Sequence, residues 1–315
     1  MNIGIIGTGN IARKFAEAAN FTKDVKLFAV ASRTIEKAEK FSKIYNIDCF
    51  YGSYEELVKN ESIDIVYIAT PMSEHYNNVK LCFEYNKGVI CEKTICCNSK
   101  EFSELIDISK EKGLFFTEAM WTKCLPSFKK AIEWKEKIGE VKAVKACFCF
   151  FAEYNPNSRL FSKDLGGGAS LDLLAYPLTI ITAFLGFDYK ELKSSVYMKN
   201  GVDIDETVIL EYDNAFGVAD CSFCYNGDNT AVIIGTKGRI EFESGFWYAE
   251  TVNLYNEKGI LTETFTEKHK CNGYEYEIEE VNNCFKKGKT ESEDMPLNET
   301  FKILKIIEKF RDSCE

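Results

Sequence analysis

The stretch Asn2-Ile3-Gly4-Ile5-Ile6-Gly7-Thr8-Gly9-Asn10-Ile11-Ala12 decides the fold. Residues 2–6 read as a short buried strand, and the loop Gly7-x-Gly9-x-x-Ala12 follows it directly and opens a helix to about residue 20. Gly7 permits a tight turn, Gly9 lets the backbone come close to a pyrophosphate, and Ala12 keeps the helix against the strand. The helix start offers unpaired N–H groups and the positive end of its dipole to an anion. Strand, loop and helix in this order predict a dinucleotide-binding site, with Thr8, Asn10 and Ile11 as further cofactor contacts in the loop.

Outward from this stretch, strands expected at 25–31, 63–69, 88–92 and 114–117 alternate with helices expected at 35–45, 77–84 and 99–112. Such alternation predicts a parallel sheet with helices on both faces. Near Trp121 the pattern changes. Helices expected at 127–138 and 171–185 are set among strands at 141–152, 192–199, 205–212, 216–224, 229–235, 238–243 and 251–256, with a last helix at 298–311. The expected fold class is α/β: an N-terminal Rossmann, doubly wound parallel sheet plus a C-terminal α+β domain with a large, mainly antiparallel open sheet. The expected division is residues 1–120 for the dinucleotide domain and 121–315 for a substrate-binding and dimerisation domain.

Composition excludes several classes of function. The 315 residues include 39 basic and 49 acidic side chains, a net charge of −10. An acidic chain lacks the basic face that nucleic acid requires and the polybasic patch that anchors a protein to an anionic membrane. The first residues have no basic segment of a signal peptide, and the longest charge-free apolar stretch, 173–187, is short for a bilayer and contains Pro177. The thirteen cysteines are then expected as reduced thiols in a cytoplasmic protein. One isolated pair, Cys221-x-x-Cys224, and only two histidines, His75 and His269, give no expected metal site.

The end of the second strand selects the dinucleotide. An NAD site normally places a carboxylate there to accept from the ribose 2′-hydroxyl. This chain instead reads Ala31-Ser32-Arg33-Thr34, with Lys37 one helical turn on. A hydroxyl donor and two cations suit a 2′-phosphate, so NADP(H) is favoured over NAD(H).

Two clusters carry candidate chemistry. Cys91-Glu92-Lys93-Thr94 ends a parallel strand, where ligands of such sheets bind. In Gly166-Gly167-Gly168-Ala169-Ser170-Leu171-Asp172-Leu173-Leu174-Ala175-Tyr176-Pro177 the glycines open a helix, and Asp172 and Tyr176 are spaced to share one face of it. Hydride transfer to or from a carbinol carbon needs a group that gives or takes the hydroxyl proton. A tyrosine of pKa about 10 serves as base only with help, and a nearby ammonium supplies it by favouring the phenolate. Lys93 and Tyr176 therefore read as one acid/base unit, with Asp172 orienting the lysine or a substrate hydroxyl. A purely structural reading, with Asp172 pairing locally and Tyr176 in the core, stands beside it.

Taken together, GIIGTGNIA, the stretch Ala69-Thr70-Pro71 through His75, CEK at 91–93 and RLFSKDLGGGASLDLLAYP at 159–177 resemble the Gfo/Idh/MocA oxidoreductases. The stretch 117–123, GYEYEIEEV at 273–281 and the segment 295–300 are similar to the branch holding dimeric dihydrodiol dehydrogenase and NADP-dependent D-xylose dehydrogenase. The resemblance implies that Lys93, Tyr176 and Asp172 are catalytic. It implies that Ser32, Arg33 and Lys37 meet the adenosine 2′-phosphate, and that Thr70, Pro71, His75, Glu92 and Lys93 border the cofactor. It also implies that Trp121 and Phe150 line the substrate pocket, that the substrate is a sugar, cyclic diol or related carbonyl compound, and that the open sheet pairs two copies into a homodimer. Arg159 reads as a loop anchor or a binder of a substrate anion. Two positions depart from the pattern: Thr94 stands where proline follows the lysine, and Leu174 where glycine is usual. Two other readings compete: a catalytically inactive, cofactor-sensing regulator on the same fold, and hydride-assisted glycoside cleavage with tightly held NAD.

Overall fold

In the computed structural model, which describes residues 1–314, the opening strand lies at the centre of a six-stranded sheet. Along the chain come β1 (Asn2–Ile6), α1 (Asn10–Ala19), β2 (Lys26–Ala31), α2 (Ile35–Tyr45), β3 (Cys49–Tyr51), α3 (Tyr54–Val58), β4 (Ile65–Ile68), α4 (His75–Glu84), β5 (Gly88–Cys91), α5 (Ser99–Lys112) and β6 (Phe116–Glu118). All six strands are parallel, in the order β3-β2-β1-β4-β5-β6. This is the doubly wound arrangement in which the order reverses beside β1, and ligands bind outside the strand ends at such a reversal. Ile3, Ile5, Ile6, Ile65, Val66 and Ile68 are fully buried, as strands covered on both faces require. Each such side chain contributes about 1.5–3 kcal/mol by leaving water. The Ser53 and Asn98 side chains cap α3 and α5 by accepting from Glu56 N–H and Glu101 N–H.

The second part of the chain continues with α6 (Pro126–Trp134), β7 (Val141–Cys149), α7 (Ala169–Asp172) and α8 (Ala175–Leu185). Seven strands follow: β8 (Glu191–Lys199), β9 (Val202–Glu211), β10 (Phe216–Ser222), β11 (Ala231–Gly235), β12 (Gly238–Phe242), β13 (Thr251–Asn256) and β14 (Leu261–Thr266). They form an eight-stranded sheet in the order β14-β13-β12-β11-β7-β10-β9-β8. Every pairing is antiparallel except β7 with β10. The expected fold class is thus present in both parts. Helix α8 covers β7 and β10 on one face. The apolar run Lys163–Leu185 is long enough to cross a bilayer by length and composition, and 89% of its apolar window is buried in the protein, as in a core helix.

The single helix expected at 171–185 is two. Helix α7 ends at Asp172, Leu173 and Leu174 form a turn, and α8 starts at Ala175. The cause is Pro177, which has no N–H to give the Leu173 carbonyl; Tyr176 N–H takes that carbonyl instead at 3.0 Å.

The chain then returns. Helix α9 (Tyr274–Lys286) belongs, with the rest of 269–301, to the same compact unit as Met1–Trp121; Thr122–Lys268 and the chain from Lys302 onward form the other. Helix α10 is Leu297–Asp312. The expected split into 1–120 and 121–315 omits this return. It is held by packing of α9 on α1 and by bonds distant in sequence: Asn272 Nδ2–H to Lys14 O at 3.0 Å, Asn282 Nδ2–H to Lys23 O at 3.1 Å and Phe116 N–H to Thr290 O at 2.9 Å.

Candidate functional site

The loop after β1 has the geometry that its glycines suggest. Gly7 takes φ +105°, and a Cβ there would stand 2.6 Å from the Ala69 carbonyl oxygen. A Cβ on Gly9 would meet nothing within 4 Å, so this side of the loop is open. Gly9 is the N-cap of α1, which has no capping side chain and no acidic residue in its first turn. The residues present therefore fit a pyrophosphate: open backbone, free helix-start donors and no opposing carboxylate. Thr8 Oγ1 lies 3.4 Å from Ser32 Oγ, joining the loop to the end of β2. Ser32 is buried with its N–H on Tyr51 O at 3.2 Å, whereas Arg33 and Lys37 are exposed. Asn10 and Ile11, in the first turn of α1, are exposed as well.

Around the end of β5 the side chains interlock. His75 is buried at the start of α4, with Nε2 2.9 Å from Thr70 O and Nδ1 3.0 Å from Thr94 O. Both ring nitrogens thus face backbone carbonyls, and His75 tethers the loop after β4, including Pro71, to the loop after β5. Burial lowers its pKa, while the two carbonyls favour the charged ring; in its neutral form the ring donates to only one of them. Asn78 Nδ2–H donates to Thr70 Oγ1 at 3.0 Å from the same helix. The Lys93–Thr94 peptide is cis, and Thr94 is buried. Glu92 is buried and accepts from the Tyr67 hydroxyl; the Tyr67 ring stacks on Phe15 of α1 at 3.6 Å. On the other side of β5, Glu118 of β6 accepts the Ile95 N–H at 3.1 Å. Burial raises the Glu118 pKa to about 7, against the opposing pull of the Ile95 N–H, the Thr300 hydroxyl and the Lys93 charge. Glu277 of α9 is fully buried, neither of its oxygens has a hydrogen-bond partner, and burial together with the Glu92 charge pushes its pKa well up. Trp121 is buried with its ring stacked on Tyr274 at 4.5 Å.

The second unit holds the other candidates. Asp172 ends α7 with its carboxylate gripped by the Arg159 guanidinium, Nη1 to Oδ1 at 3.0 Å and Nη2 to Oδ2 at 3.3 Å. The pair ties Arg159 to Asp172 while the arginine side chain stays largely exposed. The start of α7 is held by Asp203 of β9, whose Oδ2 accepts the Ser170 N–H at 2.6 Å, and the glycines before it donate to the Ser162 and Leu160 carbonyls. Tyr176 is only 6% exposed, its ring 5.4 Å from Phe148 and 6.5 Å from Trp247. Phe148 and Trp247 stack at 3.5 Å and 9°, and half-buried Phe150 leans on Phe148 and Phe223. Leu174 is wholly buried and fills the core.

Sequence reasoning missed Trp247, Phe148, Glu118, Asp203, the Tyr67–Glu92 hydrogen bond and the buried Glu277. Trp247 had a local signal: three aromatic residues follow Gly245 in a loop between strands, where binding residues concentrate. The others depend on partners far along the chain. Among the described residues no group of three or more metal-ligating side chains occurs, and the thirteen cysteines are free thiols.

Comparison with known proteins agrees with this arrangement. Residues 1–120 match the oxidoreductase family with NAD-binding Rossmann fold, GFO_IDH_MocA, and residues 128–241 match the GFO/IDH/MocA C-terminal domain. The chain is 32% identical to the trans-1,2-dihydrobenzene-1,2-diol dehydrogenase of Xenopus laevis over 97% of its own length and 95% of that protein. It is 30% identical to the enzyme of the same name from Mus musculus, over 98% and 95%. Among solved structures, a 3-ketoreductase variant from Actinomadura kijaniata in complex with NADP superposes with a TM-score of 0.88 at 19% identity, covering 99% of this chain and 97% of that one. A levoglucosan dehydrogenase in complex with NADH gives 0.88 at 17% identity, covering 99% and 96%. With a parallel nucleotide-binding sheet, an open antiparallel sheet and full-length likeness to these dehydrogenases, the chain belongs to the Gfo/Idh/MocA family of NAD(P)-binding oxidoreductases.

Proposed function

We propose that the protein transfers a hydride between a nicotinamide cofactor, NADP(H) in preference to NAD(H), and the carbinol carbon of a sugar, cyclic diol or related carbonyl compound. The observation that carries the reading is the uncapped, acid-free start of α1 behind the open side of Gly9. The preference for the 2′-phosphate rests on Ser32, Arg33 and Lys37, with no carboxylate at the end of β2. The bound cofactor supplies or accepts the hydride. Tyr176 gives or takes the hydroxyl proton through its phenol oxygen, and the Lys93 ammonium favours the phenolate. Asp172 holds Arg159 and fixes the loop before the glycines, while Phe148, Phe150 and Trp247 offer apolar ring faces to the C–H groups of a sugar or the ring of a diol. Trp121 is assigned to the same substrate.

The named relatives support the substrate class, since they are dehydrogenases of a cyclic diol, and a structural neighbour is titled for levoglucosan. Two copies are proposed to pair through the face of the eight-stranded sheet that carries Phe216, Val218, Val232 and Ile234, in a cytoplasmic setting suited to free thiols. The test is NADP⁺ reduction by the purified protein with pooled aldoses and trans-diols, repeated with Tyr176→Phe. Loss of proton transfer should lower kcat about 10²–10⁴-fold with NADPH affinity unchanged. Full activity of the variant would reject the role of Tyr176. No turnover in protein that still binds NADPH would favour a cofactor-sensing regulator.

A further inference from the structure

We propose that Glu118 is a positioning residue that holds the Lys93 turn in place and sets the charge balance felt by the Lys93 ammonium. This rests on the reading that Lys93 assists proton transfer. Glu118 ends β6 beside Cys91 of β5, so its side chain lies under the turn that carries Lys93. It is 3% exposed. Its Oε1 accepts the Ile95 N–H at 3.1 Å, two residues past Lys93, and the Thr300 hydroxyl from α10 bonds to the same carboxyl. From the opposite side, His75 reaches the Thr94 carbonyl at 3.0 Å. The Glu118 carboxyl therefore holds one flank of the turn, and the His75 ring lies against the other.

A purely structural role does not need a carboxyl. Glutamine would accept from Ile95 N–H equally well without the cost of burying an ionisable group. The choice of glutamate gains meaning from the neighbours. The groups facing Glu118 are Lys93, which favours its ionised form, and Glu92, which opposes it. The thiols of Cys91 and Cys96 also face it, and both are held protonated by burial. Behind Glu92 stand the Tyr67 hydroxyl and the Glu277 carboxyl. With its pKa near 7, Glu118 changes from neutral to anionic across the pH range of the cell. Below that point Lys93 has one fewer negative neighbour and gives up its proton more readily; above it the ammonium is held more firmly and the phenolate it supports is favoured.

The experiment reads Lys93 directly, so its outcome is separate from turnover. The pH dependence of Lys93 labelling by a limiting acylating reagent, followed by mass spectrometry, is compared in the wild type and Glu118→Gln. The wild type should show a second inflection near pH 7 in addition to the lysine's own titration. Glu118→Gln should lose that inflection and lower the Lys93 pKa by about one unit. Glu118→Asp should restore the inflection. With substrate in hand, the kcat profile of Glu118→Gln should lose its limb near pH 7 while the Kd for NADPH stays the same. A single-phase wild-type labelling curve, which needs no variant to fold, overturns the proposal; so do superimposable curves for the folded wild type and Glu118→Gln. If labelling behaves as expected and no carbinol substrate turns over, the hydride-transfer reading fails and the coupling of Glu118 to Lys93 stands.

Discussion

Replacing Gly168 by alanine should unsettle the segment that carries Asp172 and Tyr176 more than its size suggests. Gly168 caps α7 with φ +134° and ψ 143°, a region that side chains avoid. Its new Cβ would lie 2.6 Å from Oδ1 of Asp203, the residue whose other oxygen accepts the Ser170 N–H. The backbone cost is about 1–3 kcal/mol. Displacing Asp203 from the helix start adds roughly 0.5–2 kcal/mol, the worth of a cap. Gly186 isolates the second part, because it has φ +80° and ψ −170° and a Cβ there meets nothing within 4 Å. Gly186→Ala therefore carries the backbone cost alone. In urea denaturation followed by tryptophan fluorescence, Gly168→Ala should lose about 1 kcal/mol or more beyond Gly186→Ala. Adding Asp203→Ala to Gly168→Ala should cost less than Asp203→Ala costs alone, since the cap is already displaced and removing the carboxylate relieves the clash. Equal losses for the two glycine variants, or strict additivity with Asp203→Ala, would refute the reasoning.

Arg33→Ala should weaken NADPH binding about 10–100-fold, the loss of one charge-assisted hydrogen bond, and leave NADH binding nearly unchanged in a fluorescence titration; equal losses would remove the case for the 2′-phosphate. Glu277→Gln should stabilise the protein increasingly with pH. The folded-state pKa of Glu277 lies above its unfolded value, so the stability it contributes is complete below about pH 4.5 and is lost as pH rises toward the folded value. The melting temperature of the variant should thus exceed the wild type by more at pH 8 than at pH 5, and a constant offset would count against a buried, proton-holding Glu277. Leu174→Ala should cost about 2–5 kcal/mol in thermal or urea unfolding, because the side chain is wholly buried; a cost near zero would place Leu174 outside the core.

What the sequence disclosed depended on how local the cause was. The phosphate loop is contiguous, and its strand, turn and helix each have their own signal, so residues 2–20 could be read almost as they fold. The same holds for α5, bracketed by Asn98 as cap and Gly113 in the left-handed region. Elements β3 and α3 span three and five residues, too few to show a period. Strand β14 is an edge whose side chains are mostly polar and exposed, and it has no buried face to detect. Helix α9 hides its inward face because Glu275 and Glu277 are buried among the apolar residues, where glutamate usually marks solvent. Of the candidate residues, Lys93 and Tyr176 stand in recognisable segments. Glu118 and Asp203 work through groups across the fold, on Ile95 and Thr300 and on Ser170; Glu118 lies in the stretch 117–123 that carries the resemblance, but no local pattern there shows what its carboxyl holds.

The return of residues 269–301 to the nucleotide-binding unit bears on how the gene can be cut and recombined. A fragment ending at Trp121 would lack α9, leave the α1 surface beneath it bare and strip β6 of the Thr290 carbonyl that receives the Phe116 N–H. Grafting this cofactor unit onto a relative would require moving two pieces of chain together. During synthesis the first unit could not close until residues 269–301 had been made, so the nascent protein would carry an incompletely covered Rossmann sheet while the intervening unit is translated.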